Sequence, residues 1–480
     1  MLNSLAPFVP TAADPWDAAK VKHLYRRAAF GADPAMLAEA LSRAPGEVVD
    51  ALIDEALGQQ MSYNPIWRDW TRSDYTDYVP QNQAQTDTVY EFAVADLLGK
   101  GLRGRMTLFW WNHFVTRLDS YHHAPYLFQY YELLFNYGIG NFRDLTRFVG
   151  RTNAMLIYLN GFENRAEAPN ENYARELLEL FTLGVDNRYT HDDVVDLSRA
   201  FTGYTSRDEF GAPIQFDARD FDGEEKTIFG RSGFYNYPNA VALLFAERAP
   251  LIAKFIVGKL YRSFVSPRVD QTVVVAMADR LLTSDWEIAP VLRELFTSAH
   301  FFSKAARGVL IKSPYDLLCG FVKELNFEYS GSEREVYDYI YRTSAFLGQD
   351  YFNPVDVAGW RQDRDWLNSN SLSERWARLE PLLQKFFNAN VAQFAEFART
   401  VAGGEDRDTA IITRAVVDHF MVEPINNEEA YAIAESVLQW ELPSNYYEPG
   451  GIWSLDSESA SYQVFLLLRH IGRMPEFQLD

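Results

Sequence analysis

The chain has 480 residues, more than one hydrophobic core usually serves, and 48% of them are hydrophobic, as in globular proteins. Its formal net charge of −21 disfavours a nucleic-acid partner, which needs a basic face, and adhesion to anionic lipid. The single cysteine, Cys319, excludes an intrachain disulfide and a thiolate metal cluster.

Hydrophobic periodicity predicts helices along most of the first 204 residues. The predicted helices are Asp17–Arg27, Asp33–Leu41, Gly46–Leu57, Asp87–Leu98, Arg103–Val115, Pro125–Phe135, Phe142–Arg151, Ala154–Leu159, Asn170–Gly184 and Thr190–Phe201. Between them, Ser62–Gln85 is rich in Trp, Tyr, Asp and Pro and is predicted to be an ordered loop.

Residues 205–240 have a different composition, with many Gly, Asp and aromatic residues, and are predicted to be a loop that carries a β-hairpin. This segment is a predicted boundary between an N-terminal helical lobe, 1–204, and a C-terminal helical lobe, 241–480. Helices of the second lobe are predicted at Val241–Phe245, Ala249–Phe264, Gln271–Thr283, Ile288–Thr297, Pro314–Leu325, Glu333–Leu347, Ser371–Asn388, Val391–Val401, Arg407–Met421, Asn427–Leu438 and Ser459–His470. The expected fold is mainly α with a minor hairpin.

Two further expectations concern location. No apolar run reaches the roughly 18 residues that a membrane span needs. The first twenty residues lack the basic and apolar stretches of a signal peptide, so a cytoplasmic location is the default.

Aromatic residues make up 15% of the chain and favour core packing, with stacking against a carbohydrate as the alternative.

The helix Asn170–Gly184 carries the first candidate for chemistry. At about 100° per residue, its leucines and aromatic residues fill one broad arc, and Glu176 falls inside that arc. A carboxylate on a core-facing stripe needs a cation, a metal ion or a proton, because leaving it bare costs several kcal/mol. Glu176 is therefore predicted to be a general base or a metal ligand.

The alternative role of Glu176 is a structural ion pair with an arginine of a neighbouring helix, for which Arg26, Arg27, Arg151 and Arg199 are available. Four-residue spacing allows Glu171, Arg175 and Glu179 to form a solvated ladder, worth only about 0.2–0.5 kcal/mol per pair. In the functional alternative Arg175 binds an anionic substrate group in bidentate fashion.

A second stranded polar residue is His113, which shares an apolar stripe with Met106, Phe109 and Trp110. It is either a satisfied core histidine or a ligand that meets Glu176 at a divalent metal ion, if the two helices pack together. His122 or His123 could complete such a site, although adjacent histidines point apart.

Asparagines and one acidic loop are weaker candidates. Asn170 is well placed to cap the Asn170–Gly184 helix, and Asn172 has less structural use, so it is the better ligand. Asn172, Glu171 and Asn112 are assigned to substrate binding. The acidic residues between Asp217 and Glu225 favour a solvated loop over a calcium site, since their spacing fits no EF-hand.

Several segments together resemble the bacterial domain of unknown function 1800 family. These landmark segments are His23–Gly31 (HLYRRAAFG), Met106–Phe114 (MTLFWWNHF), Gly140–Leu145 (GNFRDL), Ala168–Gly184 (APNENYARELLELFTLG) continuing through Tyr189-Thr190 to Ala200–Gly203 (AFTG), Lys226–Gly230 (KTIFG), Lys259–Tyr261 (KLY), Lys312–Pro314 (KSP) and Val357–Trp360 (VAGW). They occur in family order over roughly residues 20–375, and the Ala168–Gly184 segment is the most specific.

The resemblance implies a helical bacterial protein, often exported and often encoded beside an alkaline-phosphatase-superfamily-like protein, which is a possible partner. No established reaction comes with the family. Its members usually have a His-Asp pair shortly before the Lys-Thr landmark, and here Phe221-Asp222 stands in that place.

The leading functional hypothesis is an enzyme, a hydrolase assisted by one divalent metal ion, with its site between the 103–115 and 170–183 helices. In it Glu176 is base or ligand, His113 is ligand or acid/base, and Arg175 anchors a substrate anion. The rival hypothesis is a non-catalytic protein that binds a carbohydrate or a protein partner, with Glu176 in an ion pair.

Overall fold

A computed structural model describes residues 5–61, 63–448 and 451–480. Its helices are α1 (Ala18–Ala29), α2 (Pro34–Leu41), α3 (Pro45–Gly58), α4 (Tyr78–Gly99), α5 (Gly101–His113), α6 (Leu118–Tyr121), α7 (Ala124–Tyr137), α8 (Phe142–Val149), α9 (Asn153–Tyr158), α10 (Asn172–Glu176), α11 (His191–Ala200), α12 (Tyr237–Phe264), α13 (Gln271–Thr283), α14 (Ile288–Thr297), α15 (Pro314–Leu325), α16 (Glu333–Phe346), α17 (Ser369–Ala389), α18 (Ala392–Val401), α19 (Thr409–Phe420), α20 (Glu428–Leu438) and α21 (Ala460–Ile471). Residues Leu177–Thr182 continue α10 as a π-helix, and short 3-10 turns lie at Arg72–Asp74, Gly161–Glu163, Asp363–Trp366, Ser444–Tyr446 and Glu476–Gln478.

The strands of the described residues form one antiparallel hairpin, β1 (Lys226–Ile228) and β2 (Arg231–Gly233), in which Thr227 lies opposite Ser232. This hairpin lies inside the segment 205–240. The predicted fold class, mainly α with a minor hairpin there, is confirmed.

Buried apolar side chains from Leu5 to Phe477 belong to one contiguous hydrophobic cluster, to which both predicted lobes contribute. Within it, α5 packs against α1, α3 and α7, and α12 packs against α13. The division into lobes at 205–240 stays a prediction. Among the described helices, none combines the length and the apolar character that crossing a membrane requires.

The predicted loop at 62–85 is wrong over its last third, because α4 begins at Tyr78. Ser62, the first residue of that loop, lies outside the described ranges. Pro80 is tolerated because a helix's first turn leaves backbone N–H groups without intrahelical partners. The hydroxyl of Tyr78 donates to His122 O at 2.6 Å and fixes this end of the helix.

The two helices predicted over 241–264 are one helix of 28 residues, α12, which continues through Pro250. Proline normally interrupts a helix because it lacks an N–H group. Here the side chains that follow it, including Ile252, Ala253 and Ile256, are fully buried, and their packing holds the helix together.

Candidate functional site

The helix of the longest landmark segment widens at Leu177. Leu183 N donates to Leu178 O at 2.8 Å, an i→i+5 bond, and the Thr182 hydroxyl donates to Leu177 O at 2.5 Å. This π-helical turn changes the angular positions that a regular spacing of 100° predicts. Thr182 is therefore fully buried, and Glu176, predicted in the apolar arc, is only half-buried.

The Glu176 carboxylate makes no hydrogen bond or ion pair with any described residue. Burial, and then the neighbouring Glu179 carboxylate, raise the pKa of Glu176 above its usual range, while Arg175 opposes the shift. Arg26 pairs with Glu324, and Arg199 pairs with Asp196 and Asp222. Arg27 donates to Asp480 O, and Arg151 lies 5.7 Å from the ring centre of Tyr237. None of the four arginines proposed as a partner for Glu176 reaches it.

The predicted ladder on the outer face is present. Arg175 Nη2 lies 2.7 Å from Glu171 Oε2, and its Nη1 lies 3.5 Å from Glu179 Oε1. Asn170 Oδ1 accepts a hydrogen bond from Asn172 N at 3.0 Å, and the Asn172 amide donates to Asn160 Oδ1 at 3.2 Å. Arg175 would have to leave two carboxylates to bind an anionic substrate.

His113 lies at the other end of this helix, beside Phe181 rather than beside Glu176. Its Nε2 lies 3.0 Å from Phe181 O and its Nδ1 lies 3.0 Å from Lys259 Nζ, which also donates to Leu180 O at 3.0 Å. Burial, and then the Lys259 charge, hold the pKa of His113 well below its usual range. The neutral ring therefore donates from Nε2 and accepts at Nδ1, and His113 and Lys259 together cap the carbonyls at the end of the π-helix.

The other histidines proposed for a metal site lie apart from this arrangement. His123 is buried, with Nε2 3.1 Å from Trp70 O and Nδ1 3.3 Å from the Tyr78 hydroxyl. The backbone of His122 is left-handed, with φ of 46°. Within the described ranges, no group of three or more His, Cys, Asp or Glu side chains is placed to hold a metal ion.

Three aspartates of the acidic loop after α11 form ion pairs. Asp217 pairs with Arg219, Asp220 pairs with Arg165, and Asp222 pairs with Arg199 and Lys226. The Lys226 ammonium lies 5.4 Å from the ring centre of Phe221. At this position, the aromatic ring packs beside the landmark lysine.

A cavity of about 330 Å³ opens between α1, α5, the end of α12 and the loops around residues 311 and 360. We call it the arginine pocket. It is lined by Arg26, Arg27, Arg105, Leu108, Phe109, Asn112, Arg262, Ser263, Phe264, Pro267, Leu310, Ile311, Ser313, Asp316, Gln349, Trp360, Gln362, Asp363, Trp366 and Asp480. Its volume lies near the lower end of the range of about 300–1,000 Å³ that is typical of small-molecule sites.

Ion pairs fix the buried wall of the pocket. Arg105 pairs with Asp316, its guanidinium lies 3.7 Å from the ring centre of Phe30, and its Nη2 donates to Arg26 O at 2.8 Å. Burial works against ionisation of Asp316, but Arg105 and Ser313 hold the pKa of Asp316 below its usual range. This Asp316 also accepts from Ser313 N at 3.0 Å, in the capping box that begins α15. Its two carboxylate oxygens are thus committed within the protein.

Arg26 and Arg27 are almost completely buried, with 1% and 4% of their surface exposed. Arg26 Nε donates to Glu324, and Arg27 Nη2 donates to Asp480 O at 2.6 Å. Arg26 Nη1, Arg27 Nε and Arg105 Nε are buried without a hydrogen-bond partner among the described residues. Such donors normally have a partner, so the wall is short of acceptors.

Asn112 joins the pocket to the turn at residues 356–360. Its Oδ1 accepts from Trp360 N at 2.6 Å, and a side chain at Gly359 would place Cβ 2.2 Å from that oxygen. Gly359 has a φ of +88°, which favours glycine. Asn112, predicted to bind substrate, thus lines the pocket and positions its Trp360 wall.

Four of the landmark segments contribute to the arginine pocket, among them the one with Arg26 and Arg27 and the one with Asn112. Sequence reasoning considered Arg26 and Arg27 only as partners for Glu176, and it missed Arg105 and Arg262. The available signal was in α1, where Lys20, Lys22, His23, Arg26 and Arg27 are all buried together with Val21 and Leu24. Charges on every side of a helix that is buried all round require internal partners or a ligand.

Fold and pocket together define a mainly α-helical protein with a partly apolar, arginine-lined cavity walled by segments distant in the chain. The family description "Protein of unknown function (DUF1800)" matches residues 23–479, and the chain belongs to that family. The match extends through the last hundred residues, where no landmark was recognised. No curated protein and no solved structure matches the chain significantly.

Proposed function

We propose that this protein binds a small organic molecule in the arginine pocket. The observation that supports the proposal is a cavity of about 330 Å³ whose lining combines arginines with the aromatic residues Phe109, Phe264 and Trp360. Of the two hypotheses that the sequence left open, an enzyme and a binding protein, the proposal belongs to the second.

The pocket also offers apolar surface to such a ligand. Phe109, Phe264 and Trp360 supply aromatic faces. Gln349 adds a buried polar group to the lining, and its Oε1 accepts a hydrogen bond from Tyr315 N at 3.1 Å. A mostly apolar cavity with a few convergent polar groups is the usual composition of a small-molecule site.

Thermal unfolding of the full chain against a diverse fragment library tests the proposal. A ligand at 100 times its Kd should stabilise the folded state by about 2.7 kcal/mol. The matched control is Ser263→Trp, since Ser263 lines the pocket, makes no side-chain hydrogen bond among the described residues and would fill the cavity. Fragments that stabilise the wild type and not Ser263→Trp support the proposal. Fragments that stabilise both proteins equally, or no stabilising fragment at all, contradict it.

A second proposed function is the hydrolase suggested by the sequence, with Glu176 as general base. Its support is the half-buried carboxylate without a cation partner, whose pKa burial raises toward the range that a base needs. His113 would then stabilise the helix end, because both of its ring nitrogens are bonded there.

Hydrolysis of p-nitrophenyl esters and phosphates by wild type and by Glu176→Gln tests this second proposal. A general base is worth about 10²–10⁴-fold in rate, so the variant should lose at least 100-fold while staying folded. Glu179→Gln is the matched control on the same helix. Equal rates for wild type and Glu176→Gln would exclude Glu176 as the base.

A further inference from the structure

The amine of Lys259 is held by two hydrogen-bond acceptors at the end of the π-helix. Its Nζ lies 3.0 Å from His113 Nδ1 and donates to Leu180 O at 3.0 Å. His113 Nε2 donates to Phe181 O, so Nδ1 carries the lone pair of the ring and accepts from Lys259. The fold therefore fixes the position of the amine through two of its N–H groups.

This arrangement suits the neutral amine of Lys259. An ammonium group has three N–H donors, and the described residues supply acceptors for two of them. A neutral amine has two N–H donors, which match the two acceptors, and its lone pair remains free. A lysine nitrogen with a free lone pair is a nucleophile that reacts with carbonyl compounds.

The charges around Lys259 act in the same direction. Its charged neighbour is Arg262, three residues further along α12, and no carboxylate of the described residues pairs with Lys259. Burial, and then Arg262, lower the pKa of Lys259 to about 8. The Phe255 ring, whose centre lies 4.8 Å from Nζ, favours the ammonium form without reversing this shift. Desolvation and a neighbouring cation are the two usual ways in which a lysine nucleophile is activated.

The Lys259 side chain also reaches the protein surface. It is partly exposed, while His113 behind it is buried. Leu180 and Phe255, which lie beside the amine, are partly exposed apolar residues. The surface next to the amine is therefore apolar, which suits a small compound with an apolar body. Lys259 does not line the arginine pocket, so this is a second site, independent of the binding proposed there.

We propose that Lys259 is a covalent nucleophile that forms an imine with a small apolar aldehyde, and that His113 and Leu180 O position its amine. The lone pair of Nζ attacks the aldehyde carbon and a C–N bond forms. The electron pair of the C=O bond moves to oxygen, which takes a proton from the nitrogen through solvent. Loss of that hydroxyl group with the second N–H proton, as water, breaks the C–O bond and leaves the imine.

Reductive alkylation of the full chain with butanal and sodium cyanoborohydride at pH 7 tests the proposal, because hydride converts each imine into a stable secondary amine. Peptide mapping by mass spectrometry gives the rate of labelling at each lysine. The internal reference is Lys254, an exposed lysine of the same helix. An amine with a pKa of about 8 has a neutral fraction at pH 7 about 200-fold larger than an ordinary lysine. We expect Lys259 to be labelled at least about 10-fold faster than Lys254, since its smaller exposure offsets part of that advantage.

A second reference separates the geometry from the lowered pKa. Burial also lowers the pKa of Lys323 to about 8, but among the described residues its amine donates to a single acceptor, Leu98 O. Lys323 should be labelled more slowly than Lys259. Equal labelling of the two lysines would show that a lowered pKa is sufficient, and it would overturn the positioning assigned to His113.

One variant tests the effect of the neighbouring cation. Arg262→Gln should slow the labelling of Lys259 at pH 7 several-fold and move its pH profile upward, because the ammonium form is then less disfavoured. The fold should tolerate this change, since Arg262 is exposed and makes only a 3.5 Å hydrogen bond to Gly258 O. The matched control, Arg268→Gln, replaces another exposed arginine and should leave the labelling unchanged.

Unfolding in urea provides the last control, because it removes both acceptors. Faster labelling of Lys259 than of Lys254 and Lys323 in the folded chain, lost in urea and reduced in Arg262→Gln, supports the proposal. Labelling of Lys259 no faster than that of Lys254 overturns it. A preference for Lys259 that persists in urea also overturns it, because the local sequence and not the fold would then be responsible.

Discussion

At the scale of single residues, the charges of this protein differ in whether the fold neutralises them. Arg26 and Glu324 are both buried and paired with each other. Glu176 has lost part of its hydration and gained no cation. An ionised carboxylate in that position does not stabilise the fold. Groups with such an unfavourable environment are typical of functional sites.

The substitution Glu176→Gln should change the free energy of unfolding at pH 7 by no more than about 0.5 kcal/mol, or raise it slightly. The sign follows from the raised pKa of Glu176. The folded state binds this proton more tightly than the unfolded state, so ionised Glu176 lowers stability at pH values above its folded pKa. That penalty disappears as the pH falls below the unfolded value of about 4.3. Urea unfolding at pH 7 and at pH 4 measures both limits.

Glu324→Gln provides the contrast at the same scale. It leaves the buried Arg26 guanidinium without its counter-charge, and breaking a buried pair in this way costs about 3–5 kcal/mol. A loss of more than about 2 kcal/mol in Glu176→Gln would instead reveal a stabilising contact of Glu176 and contradict its unpaired position.

At the scale of elements, the turn at residues 356–360 holds one wall of the arginine pocket. Gly359→Ala would place Cβ 2.2 Å from Asn112 Oδ1 in a backbone with φ of +88°. We expect it to lower the free energy of unfolding by about 2–4 kcal/mol, since steric overlap adds to the cost of a left-handed alanine. Chemical denaturation measures the loss, and fragment binding in the pocket should weaken with it.

The matched control is Gly348→Ala, because Gly348 has a φ of +98° and no atom within 4 Å of the position that Cβ would take. It carries the backbone cost alone, about 1–2 kcal/mol. Equal losses in the two variants would show that Asn112 moves freely and does not position the Trp360 wall.

Elements with strong local signals could be predicted from the sequence. The helices α13, α14 and α15 have the predicted bounds, and α15 begins with a Ser313 cap followed by Pro314. The π-helix at Leu177 could not be predicted, because leucine spacing does not show where a hydrogen-bond ladder widens. That widening decides which residues of the helix are buried, and it is why Glu176 is less buried than expected.

The arginine pocket lay beyond sequence reasoning for a different reason. Its walls come from α1, α5, α12 and the 360 turn, which only the tertiary fold brings together. The sequence led to the prediction that Asn112 binds substrate but gave no means to place it near Arg26. Four of the landmark segments contribute lining residues, but the sequence does not indicate that these segments meet.

At the scale of the whole molecule, four buried lysines link stability to pH. Burial lowers the pKa of Lys22 to about 7 and the pKa values of Lys259, Lys312 and Lys323 to about 8. Lys22 donates to Asp418 O and Met421 O, and Lys323 donates to Leu98 O at 2.9 Å, so backbone carbonyls replace the counter-charges. The Lys312 ammonium lies 4.1 Å from the ring centre of Phe477.

A lysine that gains a counter-charge loses stabilising effect as the pH rises, whereas these four lysines make the free energy of unfolding increase with pH. Between the folded value near 8 and the unfolded value of about 10.4, the unfolded chain binds more protons than the folded chain, so stability rises with pH. We expect the free energy of unfolding to increase by about 2 kcal/mol or more from pH 7 to pH 9. The rise ends near pH 10, where tyrosines exposed by unfolding begin to ionise. Urea unfolding across this range measures the curve, and Lys323→Met should flatten it by removing one titrating group. A flat or falling curve would mean that these lysines keep their protons in the folded protein up to the pKa of an exposed lysine, and it would contradict the prediction.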